Sequence, residues 1–218
     1  MRAPGRLLAA LLLAATAMAA PAGAQPRPSR EQALANIAKP DVDARREAAA
    51  WLGEVGIMAD APVLLRALTD ADDVVRALAE RAVWQVWSRS GDSETDHLLQ
   101  TGIEQMSRGD GGAAAQTFTT VIQRRPDFAE GWNKRATVHF LMGEYQKSLQ
   151  DCDEVMKRNP SHFGALAGYG QIYLQLDQPE RALQYFRRAL RVNPNLRGVA
   201  EIIPQLERAL LERRKGTI

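Results

Sequence analysis

A single cysteine, Cys152, stands in 218 residues, so no disulfide can close within this chain. Its neighbours Asp151, Asp153 and Glu154 would raise a thiol pKa, the wrong direction for a nucleophile, and its spacing suits an ordinary core cysteine. Histidine is as sparse. His97, His139 and His162 are scattered, and none stands in the His-Glu-x-x-His order of a zinc protease. His139 falls in a slot expected to be aromatic and reads as a packed residue. There is no phosphate-binding loop either, because Gly109, Gly111 and Gly112 flank Asp110 without the lysine or the preceding strand such a loop needs. These absences leave little for catalysis, and the expectation is a non-enzymatic chain with no cofactor and no metal.

The chain also lacks a membrane-spanning run. Its longest apolar stretch, Leu7 to Ala20, is too short to cross a bilayer as a helix. It follows Arg2 and Arg6 and precedes the small residues Ala22, Gly23 and Ala24, so residues 1–24 read as a cleaved secretory signal and the expected location is a bacterial periplasm or the exterior. Removing them takes away two arginines and no acid, and 28 basic against 26 acidic residues become 26 of each. A balanced charge favours neither nucleic acid nor a membrane surface.

What is present is a strict repeat. Pro126, Pro160 and Pro194 recur every 34 residues, a small residue recurs at Gly102, Ala136 and Gly170, and another at Ala114, Ser148 and Ala182. Four residues beyond each of these last stand Phe118, Cys152 and Phe186. A period of this length predicts stacked helical hairpins, which bury their faces only against one another. Trp132, Ala136, His139 and Phe140 are spaced for the first helix of a pair, and Gly109, Gly143 and Asp177 sit where the chain must turn through a left-handed backbone. The pattern resembles the tetratricopeptide repeat: Trp132, Ala136, Gly143, Tyr145, Ser148 and Pro160 match in the second copy, and Leu166, Gly170, Tyr173, Ala182, Phe186, Ala189 and Pro194 in the third. The first copy is looser, with Gln105 in an aromatic slot. The units are residues 95–128, 129–162 and 163–196.

Upstream, after a polar leader from Gln25 to Pro28, Ser29 and Gln32 form a capping-box signature and Pro40 stops the first helix. Asp43 to Gly53 recurs loosely thirty-one residues on, as Val74 to Trp84. Arg45, Ala48, Ala49, Leu52 and Gly53 are similar to a HEAT-type repeat, which sets residues 25–91 apart as leader and HEAT-like segment. Trp84 and Trp87 are expected to cover the open end of the first tetratricopeptide unit. Residues 197–218 should form a capping helix and tail, with Ile202, Ile203, Leu206, Leu210 and Leu211 on one side and a kink or restart at Pro204. The expected fold is an all-α, right-handed solenoid.

In that family the first helix of each unit lines the concave face, which implies a groove of Leu99, Ile103, Met106, Asn133, Thr137, Phe140, Ala167, Gln171 and Leu174. Leu99 and Ile103 stand where a chaperone-tail receptor of that family carries lysine and asparagine, so no such receptor is expected. The groove is mostly apolar with a few amides and suits a peptide or amphipathic helix of another protein; self-association is a further way to cover it. The second hypothesis is an accessory subunit that docks on an envelope enzyme through the HEAT-like half. Trp132 is expected to be buried between units.

Overall fold

The computed structural model describes residues 27–216, in which every regular element is helical. The signal-peptide reading of residues 1–24 lies outside them. Helix α1 (Arg30–Asn36) opens on the expected box: Gln32 donates its backbone N–H to Ser29 Oγ at 3.2 Å, and the Ser29 N–H donates to Gln32 Oε1 at 2.7 Å. The leader is not free up to Pro28. Trp51 donates its indole N–H to the Pro28 carbonyl at 2.7 Å and the Arg27 guanidinium lies 4.9 Å from the same ring, because a half-buried indole nitrogen needs an acceptor.

Helices α2 (Val42–Val55), α3 (Ala61–Ala67) and α4 (Asp73–Trp87) complete the N-terminal half. Asp41 and Asp72 cap α2 and α4 by accepting from Ala44 and Val75 N–H. The two helices pack closely at Gly53, where a methyl group would lie 3.3 Å from Ala82 Cα. Leu52, Leu64, Leu68, Val75, Ala79 and Val83 are fully buried between the helices. Three two-pronged ion pairs tie the layers together: Arg30 with Asp60, Arg45 with Asp70 and Arg46 with Asp72.

The repeats follow as α5 (Ser93–Ser107), α6 (Gly111–Arg124), α7 (Ala129–Leu141), α8 (Tyr145–Arg158), α9 (Phe163–Gln175) and α10 (Pro179–Val192). Each hairpin turns on a left-handed residue, with φ of 82° at Gly109, 75° at Gly143 and 51° at Asp177. Within a unit the small residue of the first helix receives the aromatic of the second. A methyl at Gly102 would lie 2.5 Å from the Phe118 ring, and Gly170 faces Phe186 as closely. The second unit substitutes the pair Ala136 and Cys152, both buried, and Ser148 donates its hydroxyl to the Ala136 carbonyl at 2.7 Å. Ala182 is fully buried, while Tyr145 and Tyr173 are half-buried and Pro126, Pro160 and Pro194 lie exposed in the junction loops. Gln105, in its aromatic slot, accepts from the Thr117 hydroxyl at 2.7 Å.

Trp132 is only partly buried between units. Its ring is half-exposed, donates to the Pro126 carbonyl at 3.1 Å, and lies between the guanidinium groups of Arg135 and Arg158 at 5.2 and 4.6 Å. The ring also packs against buried Ala129, Val155 and Ala165, so one side meets the seam between the second and third units while the other meets the two cations.

The N-terminal half does not cap the first unit. Gly91 turns the chain at φ 79°, and α4 lies along the loop edge of the array. Trp87 stacks on His162, with ring centroids 4.5 Å apart, and Trp84 meets Phe163 edge-on at 5.0 Å, so both tryptophans reach the start of the third unit. One end of α4 holds the last junction, where Arg76 donates to Asn195 Oδ1 at 3.2 Å while Asn195 donates to the Leu68 carbonyl. Just past its other end, Arg89 and Ser90 share a cavity of about 130 Å³ with Asp127, Phe128 and Asn159. Arg76 and Trp87 are eleven residues apart, about 16 Å of helix, and that length spans the neighbouring junctions.

Helix α11 (Arg197–Gly216) packs on α10 and runs through Pro204 without a restart. Leu210 is buried and Ile202, Ile203 and Leu206 are half-buried, but Leu211 is 56% exposed and falls off the stripe. Glu207 pairs with Arg187, and Arg213 with Asp177.

Candidate functional site

The first helices α5, α7 and α9 touch one another across units, and the second helices do not approach as closely, so the array curves with the first helices inside. That inner face is the candidate site. Its nine expected residues divide by burial. Leu99 is 3% exposed and belongs to the core with Phe118, Val121 and Val138, so it is no groove contact; it faces the seam between α5 and α6. Ile103 and Met106 are half-buried against the same cluster. Ala167 and Leu174 are half-buried on α9.

Asn133, Thr137, Phe140 and Gln171 come together. They line a cavity of about 60 Å³ in the wedge between the second and third units, with Ala136, Ser148, Cys152, Gly164, Ala165, Gly168 and Ile172 as floor and walls. The cavity lies where the repeat departs from its own rule. The Phe118 and Phe186 rings fill the equivalent slots of the outer units, and Cys152 leaves that space open. This signal stood in the sequence as the odd member of the Phe, Cys, Phe series, but only packing shows that it opens a pocket.

Below the pocket lies a buried polar network. Glu130 is 1% exposed and receives His162 Nε2 at 3.0 Å, Asn133 Nδ2 at 3.1 Å and Lys134 Nζ at 3.0 Å. Burial alone would raise the Glu130 carboxyl, but the His162 hydrogen bond and the Lys134 charge outweigh it and hold the group below its ordinary value. His162 Nδ1 accepts the Ala165 N–H at 3.0 Å as the cap of α9, so its proton sits on Nε2, facing Glu130. The same pairing fixes the Asn133 amide: its nitrogen faces Glu130, and its oxygen faces away. None of this was legible beforehand, because Glu130 and His162 lie 32 residues apart and share no motif.

Cys152 is 2% exposed. Burial, followed by the charges of Asp151 and Asp153, pushes its thiol up to about 12, so it is not a thiolate at neutral pH. His139 Nδ1 lies 2.6 Å from Glu144 and its Nε2 3.8 Å from Asp151 in a half-buried setting. Asp151 is held by both prongs of Arg135, at 2.7 and 2.8 Å. Among the described residues no group of three or more histidine, cysteine, aspartate or glutamate side chains could hold a metal ion, and no helix is long and apolar enough to cross a membrane.

Residues 127–195 match the family model of the tetratricopeptide repeat. A TPR repeat-containing protein of Rhizobium etli is 33% identical over 124 residues, which are 57% of this chain and 61% of the relative. An Hsp70-Hsp90 organizing protein of Glycine max is 22% identical over 118 residues, 52% of this chain and 21% of the relative. The chain thus spans less than two thirds of the length of the curated relatives it matches. Among solved structures, the first TPR of Spaghetti (RPAP3) bound to an HSP90 peptide aligns with a TM-score of 0.53 at 20% identity, covering 55% of this chain and 97% of that one. The Sgt2 TPR domain of Aspergillus fumigatus aligns at 0.55 with 17% identity, covering 58% and 85%. These likenesses show a shared fold. The chain therefore carries tetratricopeptide repeats at residues 127–195 within an all-helical repeat solenoid.

Proposed function

We propose that this chain is a non-enzymatic, exported protein-interaction module that holds an apolar peptide or helix of a partner protein on the inner face of α5, α7 and α9. The observation that carries this reading is the pocket between the second and third units, which opens on that face with an apolar floor and an amide rim. A solved neighbour of the same fold, the first TPR of Spaghetti (RPAP3), is bound to an HSP90 peptide, which supports a protein-binding role for the repeats. The raised Cys152 thiol supports a role without chemistry. The run from Leu7 to Ala20 supports export to the periplasm or beyond. For the reading of an accessory subunit docked through the N-terminal half, Trp87 is buried against the repeats, while half-buried Trp84 lines an open groove of about 620 Å³ on α4 with Ala77, Glu80, Arg81, Gln85 and Ser88.

A crosslinking pull-down from the periplasm tests the reading. Ile103 and Phe140 both pack on core clusters, so exposed Thr137 and Gln171 are the cleaner sites to change. A partner captured by the wild type and lost by Thr137→Arg/Gln171→Arg supports the groove. Capture unchanged by that variant removes it.

A further inference from the structure

We infer that the pocket over Cys152 selects one uncharged, branched aliphatic side chain, of valine to leucine size, from an extended segment of the partner; this rests on the groove reading above. Size sets the first limit. A cavity of about 60 Å³ is well under the roughly 150 Å³ of an apolar cavity that takes up benzene, so it admits a few carbon atoms and not an aromatic ring. Charge sets the second. None of the eleven lining residues is charged, and the floor is Cys152, Ala136, Ile172 and the bare backbone of Gly168, so a buried ammonium or carboxylate would find no opposite charge.

The rim sets the third. Asn133 gives its amide nitrogen to Glu130, leaving Oδ1 as an acceptor, and Gln171 is exposed with its amide unengaged among the described residues. Together they can take one backbone N–H and meet one carbonyl of an extended chain, whose side chain then points into the cavity. Gly168 keeps one wall back, whereas Gly164 is glycine because a methyl there would lie 2.5 Å from the Trp84 ring. A methyl at Gly168 would enter the open space 4.0 Å from Cys152 Sγ, an ordinary contact, so glycine is not required there by packing. A helix-interior glycine that packing does not need is a cost to stability that the pocket accounts for.

The test uses the purified full chain, with methyl resonances of Ile172, Ala136 and Thr137 followed during titration with the N-acetyl N′-methylamides of glycine, valine, leucine and phenylalanine. Valine and leucine amides should give saturable shifts, the glycine amide none, and the phenylalanine amide should bind about tenfold more weakly. Two variants close the pocket without disturbing the fold. Gly168→Ala should melt higher and bind more weakly. Ala136→Gly/Cys152→Phe restores the glycine and phenylalanine pair of the outer units and should abolish the shifts. Equal shifts with the glycine amide, no saturable shift with valine or leucine, or unchanged binding by both closed variants would overturn the inference. In the partner pull-down, capture kept by the closed variants but lost by Thr137→Arg/Gln171→Arg removes the pocket and leaves the groove, whereas capture kept by all removes the groove reading itself.

Discussion

Gly102 and Gly170 each lie under the aromatic ring of their own unit, and the cost of filling that space can be read at once. Gly102→Ala should destabilise by about 1–3 kcal/mol, because overpacking against Phe118 outweighs the gain in helix propensity. Gly168→Ala should do the reverse, stabilising by up to about 1 kcal/mol, since its methyl meets only Cys152 at 4.0 Å. Thermal melts of the two variants, moving in opposite directions, check both. Trp132→Ala should cost about 1–3 kcal/mol, less than a fully buried ring, because Trp132 is partly buried against Ala129, Val155 and Ala165 with Arg135 and Arg158 over its ring. The left-handed turns at Gly109, Gly143 and Asp177 were legible in the sequence, since a residue type declares a backbone need. The exposure of Trp132 was not, because the same letter serves a core ring and an edge ring.

At the scale of elements, the helices and their caps follow from local chemistry. Ser29, Asp41, Asp72, Asp92 and Asp110 each accept a backbone N–H at a helix start. Asp70 and Asp72 stand in the turn before α4, and their service as arginine acceptors appears only when α2 and α4 are laid side by side. That service has a pH signature. Hydrogen bonds from Arg46, with the Val75 N–H, push the Asp72 carboxyl down to about 2; those from Arg45 hold Asp70 below its ordinary value. At Asp60 burial pulls upward, but Arg30 and the Ile57 N–H prevail and the group is lowered. A carboxyl whose folded value is depressed contributes stability that is complete above its unfolded value, near 4, and is lost as pH falls toward about 2. Melts of the wild type should therefore drop across that window, and Asp72→Asn should be less stable at neutral pH and converge on the wild type at the acid end. An equal gap at every pH would assign the loss to packing instead. Helix α11 shows the limit of local rules, since Pro204 is carried inside an unbroken helix.

Across the whole molecule, α4 joins what the repeat period alone would leave as two bodies. The sequence displays the period and the helical hairpins, consequences of local spacing, and the curved face only through the family resemblance. It does not display where Trp84 and Trp87 dock, because a contact between residues 87 and 162 depends on how far the chain turns at Gly91. Trp87→Ala should cost about 3–5 kcal/mol and split one cooperative unfolding transition into two, as seen by calorimetry; a single unchanged transition would mean that the halves are stabilised independently of this contact. On the inner face, four convergent residues surround one pocket. The most direct measurement places a photocrosslinking residue at exposed Gln171 on the inner face and, separately, at exposed Gln150 on the outer helix α8. A partner adduct formed from position 171 and not from 150 is the expected result, and an adduct formed from 150 alone would contradict a function seated on the inner face.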